Sequence, residues 1–107
     1  MIRVTVIENG DTYKSIESKG HADFSAFGKD IVCAAASVLI INTLNGIDQF
    51  SDTKMDVTSE DSGYLKAVFP DGCDEKAQVL LDSMVLGLTQ IEKQYGKRYL
   101  SIDIQEE

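Results

Sequence analysis

At 107 residues, ten of them basic and eighteen acidic, the chain has room for one hydrophobic core and not two. A hydrophobic fraction of 43% excludes the disordered class, and a formal net charge of −8 argues against direct nucleic-acid binding. An acidic surface aids solubility and attracts basic polypeptide segments.

From the N-terminus, Ile2 to Ile7 alternate, with Ile2, Val4 and Val6 on one face and Arg3 and Thr5 on the other. That period predicts a strand. Asn9-Gly10 signals a hairpin, because both residues tolerate positive φ. Tyr13 to Lys19 is the returning strand. A three-residue loop, Asn9-Gly10-Asp11, sets Ile16 opposite Val4 and is preferred here for gathering the aliphatics on one face. Gly20 to Lys29 has no steady period and reads as a loop. Asp30 then stands as an N-cap before an apolar helix, Ile31 to Leu44, which Asn45-Gly46 closes. That helix is apolar on nearly every side, so it is buried or shared with a partner subunit.

Lys54 to Glu60 and Tyr64 to Phe69 form a second hairpin around Asp61-Ser62-Gly63. Pro70-Asp71-Gly72 turns the chain into a second helix, about Asp74 to Tyr95, with Ala77, Leu81, Met84, Leu88, Ile91 and Tyr95 spaced by three and four. Gly96 ends it, and Arg98 to Ile104 alternate as a last strand. The order ββαββαβ with short hairpins predicts an α+β two-layer sandwich, a mainly antiparallel sheet with two helices, spanning residues 1–107 as a single domain. The start of the chain, MIRVTVIENG, does not read as a signal peptide. The longest apolar stretch, Ile31 to Ile41, is broken by Ser37 and is too short for a bilayer. A cytoplasmic protein with no membrane partner is expected.

The one histidine, His21, sits where the second strand gives way to the loop, and Cys33 follows in the expected first turn of the helix. A helix N-terminus favours a thiolate, and Lys29 or protonated His21 adds to that effect. The pair then suits nucleophilic catalysis, with free helix N–H groups as an oxyanion hole. The bland reading stands beside it. A cysteine in an Ile-Val-Cys-Ala-Ala-Ala run is usually a small buried hydrophobe, and a lone loop histidine is usually solvated. Cys73 starts the second helix with no second histidine to serve it, and reads as incidental. Two cysteines and one histidine, widely spaced, make no metal motif, and two cysteines in a cytosolic chain read as thiols.

Gly20-His21-Ala22, followed by GKDIVCAAAS from Gly28 to Ser37, resembles the signature of the Prp family of ribosomal-processing cysteine proteases. The element order agrees with that family over essentially the whole chain. The resemblance implies a small homodimeric cysteine endopeptidase that needs no cofactor. Its substrate is implied to be the N-terminal extension of large-subunit ribosomal protein twenty-seven. Cys33 becomes the nucleophile and His21 the general base and acid. Asp30 and Ser37 also match family positions. Asp30 orients the imidazole or serves as an N-cap, the latter slightly favoured, and Ser37 either lines the substrate site or bonds back to the Cys33 carbonyl. Gly20 and Gly28 let the loop approach substrate or simply turn. Phe24 and Phe27 receive the aromatic pair that precedes the family's scissile bond, or pack under the loop. The basic segment beyond that bond suits an acidic surface. A competing reading is a non-enzymatic acidic module that shields a basic ribosomal protein; a redox-sensing thiol is a third.

Overall fold

Apolar alternation builds a sheet with one face for the core. The computed structural model describes residues 1–20 and 27–107, and of residues 27–30 the backbone alone. In chain order the elements are β1 (Ile2–Asn9), β2 (Thr12–Lys19), α1 (Phe27–Phe50), β3 (Asp56–Glu60), β4 (Tyr64–Val68), α2 (Glu75–Tyr95) and β5 (Leu100–Glu106). The strands form one sheet in the order β3-β4-β2-β1-β5, antiparallel throughout except for the β1–β5 pair. Both helices cover the face that carries Val4, Val6, Ile16 and Ala67, all essentially fully buried. The expected α+β two-layer sandwich and its element order hold.

The register of the first hairpin differs from expectation. Ile16 pairs with Val6, not Val4, and the loop is the two residues Gly10 and Asp11 between paired Asn9 and Thr12. A bulge accounts for the difference. Ile7 pairs with Ser15 but Glu8 pairs with Tyr13, leaving Lys14 as the extra residue. Losing one residue of phase brings Tyr13 and Ile16 to the same helix-covered face. Tyr13 is 3% exposed there, and its hydroxyl donates to Asp82 Oδ1 of α2 at 2.5 Å.

α1 is longer than expected at both ends. It starts at Phe27, so Asp30 lies inside its first turn and is not its N-cap, and it continues past Asn45-Gly46 to Phe50. Gly46 is a contact residue, not a stop. A Cβ there would stand 3.5 Å from Leu80 Cδ1 of α2, and one on Gly87 would stand 2.6 Å from Leu39 Cδ2 of α1. Glycine at these points lets the two helices approach closely. With the extra length, Ile31–Phe50 is long and apolar enough to cross a membrane, contrary to the shorter run read from sequence. Its row Val32, Ala36, Ile40, Leu44 and Ile47 is instead buried in the core.

Asp74 joins the exit of α1 to the entry of α2. As N-cap its carboxylate accepts the Ala77 N–H at 2.9 Å, the Ser51 hydroxyl at 2.7 Å and the Asp52 N–H at 3.0 Å. The Asp74 N–H in turn donates to Thr53 Oγ1 at 2.9 Å. These donors, Ala77 first, pull the carboxyl down to about 2.

Candidate functional site

α1 presents three kinds of face. The buried row seats it on the sheet; beside that row run Cys33, Ser37 and Ile41, one helical turn apart. Cys33 is half-buried while Ser37 and Ile41 are exposed, so this stripe lies at the margin between core and solvent. It forms one wall of a cavity of 160 Å³ whose other lining includes Gly20, Ser59, Glu60 and Leu65. The site therefore sits where the end of β2, the flank of α1 and the β3–β4 hairpin converge.

Gly20 is fixed there by its backbone. Its φ is +95°, and an added Cβ would overlap the Met1 carbonyl oxygen, so only glycine carries the chain round this corner. His21 is bonded directly to Gly20. His21 and Phe24 lie outside the described residues, and the side chains of Phe27 and Asp30 are likewise outside them. Among the predicted residues, Gly20, Cys33 and Ser37 are thus brought to one cavity. Gly28 lies in the first turn of α1 rather than in a loop.

The long helix changes the electrostatic argument for Cys33. Cys33 falls beyond the first four positions of α1, Phe27 to Asp30, where the N–H groups are unsatisfied. Its own N–H belongs to the helix ladder. The expected oxyanion hole from free helix N–H groups at Cys33 is therefore not offered by α1 itself, and the dipole has fallen off by the second turn. Ser37 supplies a hydroxyl one turn along the same wall. Among the described residues, the bond back to the carbonyl four residues earlier is made by Thr43 and Thr89 and not by Ser37.

Cys73 has a different setting. It precedes the N-cap of α2, its N–H donates to Thr12 Oγ1 at 2.8 Å, and its thiol donates to the Tyr13 carbonyl at 3.6 Å. Burial pushes this thiol up, the reverse of the lowered value that a helix start suggests. Both cysteines are free thiols, at opposite ends of β2. Among the described residues no three His, Cys, Asp or Glu side chains converge as a metal site requires.

Sequence reading stopped at Ser37. Ile41, Glu60 and Leu65 also line the cavity. The four-residue step from Cys33 to Ser37 signals Ile41; the hairpin residues carry no sequence mark, since only the fold brings them near.

Comparisons with known proteins show the family and the fold. The profile of a family described as cysteine protease Prp matches residues 1–100. The ribosomal processing cysteine protease Prp of Bacillus subtilis (strain 168) is 32% identical over 102 residues, covering 89% of this chain and 90% of the relative. A crystal structure of the essential ribosomal processing protease Prp from S. aureus, in complex with a covalently linked product peptide, superposes with a TM-score of 0.86. It is 28% identical, covering 97% of this chain and 99% of that one. A second structure of the S. aureus protease, in complex with a substrate peptide, gives a TM-score of 0.87 at 27% identity, with the same coverage.

Proposed function

The chain belongs to the cysteine protease Prp family, and from that premise we propose that it removes the N-terminal extension of large-subunit ribosomal protein twenty-seven through Cys33 and His21. One observation carries the residue assignment. The half-buried Cys33 opens on a cavity that Gly20 also lines, and Gly20 is bonded to the only histidine in the sequence. A thiol lining the cavity, and an imidazole that follows the cavity-lining Gly20 directly in sequence, suit acyl transfer.

In this mechanism His21 takes the Cys33 proton as Sγ bonds to the scissile carbonyl carbon. The imidazolium then gives that proton to the leaving amine as the C–N bond breaks. Water hydrolyses the resulting thioester, losing a proton to His21, which returns it to the thiolate as the acid product departs. Ser37, on the same wall, contacts the substrate beside the nucleophile. The net charge of −8 draws in the basic part of the substrate.

The protease works in the cytoplasm as a homodimer and does not bind nucleic acid directly. The outer face of the helix layer supports the dimer: Val38 is 66% and Leu86 60% exposed, with Ala34, Ala35 and Gly87 lining a shallow depression beside them.

Mass spectrometry of a peptide spanning the precursor junction tests the assignment. The wild type is expected to make one cut; Cys33→Ala and His21→Ala are each expected to make none while still binding the peptide. Full cleavage by Cys33→Ala rejects the thiol mechanism. Binding without cleavage by the wild type supports the shielding-module reading instead.

A further inference from the structure

A concavity of 690 Å³ lies where α1 ends and α2 begins. Phe50, Val79 and Leu80 give it apolar walls, and Asp52, Asp74 and Glu75 stand among them against one base, Lys76. Phe50 is 67% and Val79 62% exposed, so large apolar side chains are held open to solvent there. The bonds between Asp74 and segment 51–53 tie the two helix ends together, so the concavity is formed before anything enters it. Asp74 keeps its charge but engages both carboxylate oxygens with those donors and Ala77. Among the described residues Asp52 and Glu75 form no ion pair, which leaves two carboxylates for a partner.

Resting on the protease reading, we propose that this concavity is a second contact for the protein substrate, holding a basic segment of its body far from the cut. The occupant presents an arginine or lysine beside an aliphatic side chain. Charge selects it, since three carboxylates against one lysine attract a basic segment and repel an acidic one. The exposed Phe50 ring offers a surface on which a guanidinium or ammonium group stacks, with Asp52 and Glu75 as counter-charges. Val79 and Leu80 take the aliphatic neighbour, as exposed apolar residues with a polar rim do at interaction sites. Distance sets which part of the substrate arrives. From Cys33 to Phe50, α1 rises about 25 Å at ~1.5 Å per residue, which an extended chain covers in about eight residues. Residues next to the scissile bond therefore stay short of it. A second copy of this chain fits less well, because two copies meeting here oppose their carboxylates. The shallow depression beside Val38 that supports the dimer is, by contrast, lined without a charged residue.

The test compares cleavage of two substrates by wild type, Phe50→Ala, Asp52→Lys and Glu75→Lys. One substrate is the intact precursor protein; the other is a junction peptide with about five residues on each side of the cut, too short to span the distance. All three positions are exposed, and thermal unfolding verifies that each variant is folded. Each substitution is expected to raise KM for the intact precursor about tenfold, with kcat held within about twofold and both constants for the peptide unchanged. Added salt is expected to raise the wild-type KM for the precursor more steeply than that of Glu75→Lys. An unchanged KM for the precursor in folded variants overturns the proposal. So does an equal loss on precursor and peptide, which places the effect at the Cys33 cavity. A change in sedimentation with KM for the precursor intact also overturns it and assigns the concavity to a second copy. If the wild type cuts neither substrate, the protease reading fails by itself. The affinity of the same substitutions on Cys33→Ala for the intact precursor, by fluorescence anisotropy, then still decides the contact.

Discussion

Asp74 closes two helix ends with one carboxylate, accepting from Ala77, Ser51 and Asp52. Sequence reading finds it only as the start of α2; the segment 51–53 that shares it comes from the far end of α1, and no local pattern pairs them. Its carboxyl is drawn from an ordinary 3.8 down to about 2. A depressed folded value means that the stabilisation is complete above about pH 4 and lost as pH falls through about 2. Asp74→Ala is therefore expected to lower the melting temperature at neutral pH, and the gap from wild type is expected to close through that acid window. Thermal unfolding of both proteins at several pH values measures it; a gap that stays constant rejects this account. Cys33 and His21 stand out in sequence as candidates because one histidine and a family motif isolate them. The raised thiol of Cys73 does not, since the burial that causes it is made by the fold and carries no local sequence mark.

Strand and helix identities follow from period, and α2 matches its expected span closely: Ala77, Leu81, Met84 and Leu88 are its buried row. Boundaries and register failed where a local signal had a tertiary use. Asn45-Gly46 has the composition of a helix stop, but Gly46 faces Leu80 across the helix pair, so packing outweighed capping. The bulge at Lys14 is invisible to a two-residue period, because it restores the buried face only after Tyr13 has changed phase. The bond from Tyr13 to Asp82 ties this bulged strand to α2. Tyr13→Phe keeps the ring and removes that bond, and is expected to cost about 1 kcal/mol in urea denaturation with an unchanged m-value. A loss within error of zero would mean that packing of the ring alone sets the phase of β2.

For the molecule, the two-layer plan was legible in its hydrophobic pattern, and the candidate site was legible along α1 and at Gly20 but not along the β3–β4 hairpin. The open outer face of the helix layer belongs to the same scale. If it is the dimer surface, Val38→Glu at a site 66% exposed leaves the fold intact and sends the species sedimenting at micromolar concentration from dimer to monomer. A wild type that sediments only as monomer removes the dimer from the proposal. The parallel pairing of β1 with β5 has a consequence for how the chain is made. β1 precedes the other four strands in synthesis, yet its partner on one side, Leu100–Glu106, is made after all of them. Until those residues appear, β1 is an uncovered edge carrying Ile2, Val4 and Val6, the kind of edge that recruits other chains. The nascent protein cannot complete its sheet piecemeal. Completion of the sheet waits on β5, and α1, with Cys33, acquires its rigid support only after Leu100–Glu106 has been made.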